Sequence, residues 1–192
     1  MRKLLMILSR IRRFSHDVRA VAAVEFALVV PLLITLYLGT IEASTLYSAD
    51  HKVATVASTM ADLVSRENGK IKGTVLTTYF AAAATIMQPF TTTGLGQVVS
   101  LLEIDEDGLA TVKWSEASGS ADDRDDDSDY PLAADTQINI LARGAGGWLV
   151  ASEITYPHIP SIGYVIPATI NLRHVQYYLP RFAKEIVLKP LE

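Results

Sequence analysis

R-A-V-A-A-V-E-F-A-L-V-V-P-L-L-I-T-L-Y-L-G-T-I-E, from Arg19 to Glu42, carries only one charge between its charged ends, that of Glu25. The residues from Ala20 to Ile41 match the roughly 20 needed to cross the hydrocarbon core of a bilayer. The sequence therefore predicts a membrane helix rather than a soluble core element. A carboxylate in such a helix costs about 2.5–3.5 kcal/mol at the bilayer centre on insertion scales, less near an interface, and marks a functional position by default. Pro31 has no N–H to give residue 27 and is expected to kink the helix inside the membrane.

Upstream lie Arg2, Lys3, Arg10, Arg12, Arg13 and Arg19 against Asp17 alone, whereas the chain after Ala20 is acidic. By the positive-inside rule the basic leader stays cytoplasmic and the residues beyond Glu42 are exported. A secretory signal has a shorter apolar core, about 7–15 residues, followed by a small-residue cleavage site. Ile41-Glu42-Ala43-Ser44 is a poor match to such a site. The acidic balance of the exported part argues against nucleic acid as a partner, because phosphate binding needs clustered Lys and Arg. With no cysteine in the chain, an exported domain of this size depends on apolar burial alone.

Nothing between Ile41 and Asn68 breaks a helix, and Leu46, Ala49, Val53, Val56, Met60 and Leu63 recur at spacings of three and four. The helix is expected to continue as an amphipathic extension over 42–68, making a rod of roughly 70 Å whose stripe packs on its own domain in preference to a free coiled coil. Asn68-Gly69 stops it, and Lys70 to Gly73 read as a short connection. A second helix is expected from Thr74 to Met87, ahead of Pro89. From Gln97 the period becomes two. Val98 to Ile104 and Leu109 to Ser115 form a hairpin around Asp107-Gly108. Gln137 to Leu141, Trp148 to Tyr156 and a strand pair within Gly163 to Leu179 complete an antiparallel meander, with Pro167 near its edge. The expected division is a leader at 1–20, a transmembrane helix at 21–41, its extension at 42–68 and an exported α+β domain at 69–192.

Residues 118–130 contain six aspartates. Asp123, Asp125, Asp127 and Asp129 alternate like the opening of a calcium loop. The glycine and glutamate that such a loop has at its sixth and twelfth positions are missing, so a solvated, mobile loop is favoured over a Ca²⁺ site. No other cofactor is expected. No HExxH, GxSxG, Walker or CxxC pattern occurs. His16, His51, His158 and His174 are scattered, and none is assigned as a ligand. Glu153 reads either as a buried acid or, as the period of two favours, as a strand residue on the solvent face.

A basic leader, a small residue and then a glutamate at the fifth position of a membrane helix is the pattern of type IV pilin-like proteins. More narrowly, A-V-E-F-A-L-V-V-P-L-L resembles the minor pseudopilins of the tight adherence (Tad) pilus, the TadE/TadG-like family. Phe80 to Phe90, Val112 to Ala117, Ser152 to Tyr156 and Leu179 to Arg181 also look like that family's downstream segments. The resemblance implies a type IV pilin-like fold and a non-enzymatic, single-pass inner-membrane protein whose C-terminal domain is periplasmic. A prepilin peptidase would cut between Ala20 and Val21, recognising the region of Glu25 and Phe26. Ala20 departs from the glycine that many members have before the cut. The implied partners are the peptidase, sibling minor pseudopilins, the major pilin, the inner-membrane assembly platform and the lipid bilayer. The implied role is pilus initiation or biogenesis and surface adherence. The alternative is a single-pass membrane-anchored periplasmic binding module. Titration calorimetry with Ca²⁺ is expected to show no heat and no shift in melting temperature; either signal would establish the loop as a cation site.

Overall fold

The computed structural model describes residues 18–182 and 184–189, so leader residues 1–17, His16 among them, lie outside the described residues. The chain forms two compact units. Of the described residues, one unit holds 18–45 together with Pro160–Ala168, and the other holds Leu46–Ile159 and those from Thr169 onward.

The first unit is built on helix α1, Val18–Ser65, which runs without interruption through Pro31 and continues into the second unit. Two of its hydroxyls are satisfied locally: Thr35 and Thr40 donate to the carbonyls of Pro31 and Leu36 at 2.9 and 2.8 Å. This suits a segment whose surroundings offer no water. Phe26, Leu28, Leu32, Leu36 and Tyr37 are all exposed. The most apolar window of α1 is long and apolar enough to cross a membrane and, among the described residues, nothing buries it.

In the second unit, the remainder of α1 packs through Ala49, Val53, Val56, Ala57, Met60, Ala61 and Val64, all fully buried. The amphipathic stripe thus covers its own domain. Helix α2, Gly73–Thr85, adds Leu76, Phe80 and Ala83 to the same core. A four-stranded antiparallel sheet follows, with β2 at Gly96–Ile104, β3 at Ala110–Gly119, β4 at Trp148–His158 and β5 at Ile170–Tyr178. The β2–β3 hairpin closes where expected. Gly108 takes φ +88°, and Asp105 Oδ1 accepts from Leu109 N–H at 2.8 Å. The fold is accordingly α+β with a long N-terminal helix.

Four sequence expectations need correction. Gln137 to Leu141 is not a strand but part of helix α3, Gln137–Gly144. Its Ala142 faces the second core, and Asn139 holds the hairpin turn by donating to Gly108 O at 2.9 Å. Gly163 to Leu179 supplies one strand, β5, rather than a pair. Lys70–Lys72 is a short strand, β1, that pairs in parallel with β6, Val187–Lys189. Finally, the sheet order is β3-β2-β4-β5, so β4 returns beside β2 instead of following β3 as in a meander.

Both faces of the sheet are covered. Val99, Leu101, Val150 and Ile154 face α1 and α2, whereas Leu102, Ile104, Leu149 and Ala151 face a second core that includes Tyr130 and Ala142. The chain end is tied to α1: Arg181 N–H donates to Ser65 O at 2.8 Å and its guanidinium pairs with Asp62 at 2.6 Å. Met60→Ala is expected to destabilise this unit by about 2–5 kcal/mol, as for other large-to-small core changes. Tyr47→Ala, at an exposed position of the same helix, is expected to stay within about 0.5 kcal/mol of the parent in thermal denaturation.

Candidate functional site

Val21, Glu25 and Phe26 lie at the start of the exposed apolar part of α1. Residues 21 and 25 are four apart, hence on one helix face and roughly 6 Å apart along the axis. The Glu25 side chain is exposed and has no hydrogen-bond or ion-pair partner among the described residues, and Phe26 is 69% exposed beside it. A carboxylate on an otherwise apolar surface is an acceptor for a cation.

Sequence reading missed a second carboxylate on the same helix. Glu42, just past the apolar run, is only 1% exposed. Its Oε1 accepts from Tyr164 N–H at 2.8 Å, and its Oε2 accepts from Val165 N–H at 3.1 Å and Ile166 N–H at 2.7 Å. Burial alone would raise the carboxyl pKa. The backbone donors of Ile166, Tyr164 and Val165 outweigh it and hold the group below the usual carboxylate range. Three consecutive N–H groups converging on one anion form a backbone anion cradle. The nearest sequence signal was indirect: Ile159 to Leu172 contains no Asp, Glu, Lys or Arg, and an apolar loop has few other ways to satisfy its backbone.

Glu153 is a buried acid, contrary to the solvent-facing position that the period of two favoured. The alternation itself is correct, since Glu153 shares a face of β4 with Leu149 and Ala151. That face is roofed by the acidic segment. Arg124 Nε and Tyr130 Oη donate to Oε1 at 2.7 and 3.1 Å, and Arg173 donates to Oε2 at 2.6 Å. Arg124 also stacks on the Tyr130 ring at 4.6 Å. Burial would raise the Glu153 pKa, but Arg124 and Arg173 prevail and lower it. Tyr130 is pushed up, first by burial and then by its neighbours Tyr177 and Glu153.

The aspartate-rich segment is therefore docked, where a mobile loop was expected. Val112 N–H donates to Ser128 O at 2.9 Å, Asp127 N–H to Val112 O at 2.8 Å and Tyr130 N–H to Ala110 O at 2.7 Å. Asp123, Asp125, Asp127 and Asp129 lie along it. Among the described residues no group of three or more His, Cys, Asp or Glu is placed to hold a metal. His174 pairs with Asp50 at 2.7 Å, His51 stacks on Tyr47, and His158 is buried with its pKa lowered by desolvation. An open hollow of about 670 Å³ is lined by Ile104, Asp105, Glu106, Ile140, Arg143, Gly146 and Gly147. Two of the Arg143 nitrogens there are already engaged by the carbonyls of Glu106 and Ala134.

Residues 20–62 match the model of the family described as TadE-like protein, and this segment of the chain is TadE-like. The match begins at Ala20 and takes in Glu25, Pro31 and Glu42. The segments at 80–90, 112–117, 152–156 and 179–181 lie outside it. Together with the exposed apolar helix, the match fits a membrane protein associated with the Tad pilus. Comparison with curated proteins and with solved structures finds no match.

The Glu153 cluster gives a pH test. Its folded pKa lies below the unfolded value of about 4.3, so between the two the unfolded state binds more protons and stability rises with pH. The contribution is fully present above the unfolded value and is lost as pH falls through the lowered folded pKa. Glu153→Gln is expected to cost about 1–3 kcal/mol at pH 7, discounted because Arg173 is more than half exposed. The deficit should narrow below about pH 4 in chemical denaturation, as the parent carboxylate protonates.

Proposed function

We propose that this chain is a minor pseudopilin of a Tad-type pilus assembly system, anchored in the inner membrane with its C-terminal domain in the periplasm. A prepilin peptidase removes the leader between Ala20 and Val21, and the trimmed chain takes part in pilus initiation or biogenesis and so in surface adherence. The observation that carries the reading is the TadE-like match over 20–62, coupled with an exposed Glu25, four residues after Val21, that has no partner among the described residues.

The chemistry is simple. Cleavage after Ala20 would create an ammonium at Val21. Within one chain that ammonium sits about one helical turn from Glu25. In a neighbouring subunit it is a cation that an axial offset of about one helical turn would bring level with Glu25. Pairing Glu25 with such an ammonium offsets the cost of leaving a carboxylate in lipid and favours one lateral register. Sibling pseudopilins, the major pilin and the assembly platform are the partners of this exposed helix. Subunits joined head-to-tail through a rotation that does not close generate an open helical assembly.

The chain serves as the peptidase's substrate and is assigned no catalytic residue. Both oxygens of Glu153, the buried acid of the sheet, are already engaged by arginines. Mass spectrometry of the protein recovered from membranes is expected to place the mature N-terminus at Val21. A mass that retains the residues before Val21 would instead support an uncut, membrane-anchored binding module.

A further inference from the structure

We propose that the strap Pro160–Ala168 is a second membrane contact, lying in the interfacial layer of the exported leaflet beside the outer end of α1. The proposal rests on the reading that residues 21–41 span a bilayer. Three features of the first unit carry it.

The first is composition. The strap reads P-S-I-G-Y-V-I-P-A and has no charge, and its Ile162, Tyr164 and Val165 side chains are 45%, 63% and 45% exposed. Loops that face water seldom present aliphatic and aromatic side chains without a charge among them. A tyrosine flanked by aliphatic residues suits the head-group level, where its ring is apolar and its hydroxyl remains wet.

The second is depth. Glu42 fixes the strap to α1 immediately after the apolar run. Val165 reaches back toward Gly39, where an added Cβ would stand 3.5 Å from Val165 Cγ2. Gly39 is three residues inside Glu42, about 4.5 Å along the helix. The strap therefore adjoins the last turn of the span, and its exposed apolar side chains continue the apolar surface of α1.

The third is the backbone. Irregular chain can enter an apolar layer only if its polar groups are satisfied from within. Tyr164, Val165 and Ile166 direct three consecutive N–H groups at one carboxylate. Gly163, at φ +67° with open space around it, makes the reversal that aims these donors. Glu42 would thus set how deeply the periplasmic end of the helix sits, and the strap would resist its axial displacement.

The chain contains no cysteine, so single-cysteine variants of the full chain can each carry one environment-sensitive fluorophore in vesicles of phosphatidylethanolamine and phosphatidylglycerol. Tyr164→Cys reports on the strap, Leu32→Cys on the span and Asp107→Cys on an exposed turn. The label at 164 is expected to be quenched by lipids carrying a shallow nitroxide and to be several-fold less accessible to aqueous iodide than the label at 107. Glu42→Gln should raise iodide access at 164 and leave the label at 32 unchanged. If the label at 32 is quenched by deep nitroxide lipids while that at 164 is open to iodide and untouched by lipid, the strap proposal fails and the span stands. If the label at 32 escapes lipid quenching, the spanning reading fails and the proposal with it. A label at 164 shielded from both quenchers would show that protein, such as a second copy of the chain, covers the strap, which also overturns the proposal.

Discussion

An apolar helix that the other described residues leave uncovered is the constraint on which this structure depends. From Val21 to Tyr37 nearly every side chain of α1 is exposed, and in water such a surface would be strongly unfavourable. Lipid or other apolar helices are surroundings that such a surface suits. Once that is granted, each carboxylate on the helix requires a physical explanation. Glu42 receives its own from three backbone N–H groups within the unit. Glu25 has none within the described chain, and this difference makes Glu25 the position at which a partner is expected.

The second unit solves a separate problem. It has no disulfides, so it gains stability by covering both faces of its sheet. The polar half of α1 and α2 cover one face; α3 and the docked aspartate-rich segment cover the other. The charges on that segment do not prevent docking, because Arg124 and Tyr130 turn inward to Glu153 while the aspartates remain largely at the surface. The buried carboxylates Glu42 and Glu153 thus use different donors, backbone amides in one and guanidinium groups in the other, for the same task of pinning irregular chain to regular structure.

The sequence made the helical and hairpin elements legible because their signals are local. Alternating three- and four-residue spacing identified the buried stripe from Ala49 to Met60, and Asp107-Gly108 identified the β2–β3 turn. Of the candidate site, the uncovered position of Glu25 and Phe26 followed directly from the apolar run. What failed was non-local. Gln137 to Leu141 has a pattern too short to separate strand from helix, and its helical state depends on packing Ala142 and Asn139 against the hairpin. Lys70 to Lys72 is a strand only because Val187 to Lys189, more than 100 residues later, lies beside it. The period of two favoured the solvent face for Glu153, which is buried, because periodicity carries no information about what covers a face. The Glu42 cradle likewise joins residues more than 120 positions apart, beyond the reach of any periodic pattern.

The central proposal is that Glu25, which has no partner among the described residues, pairs with another subunit. Crosslinking in native membranes, comparing the parent with Glu25→Ala at matched membrane levels, tests it most directly. The account predicts normal insertion of the variant with a marked loss of crosslinked complexes to other pilus subunits. Parental levels of those complexes in a correctly inserted variant would contradict it.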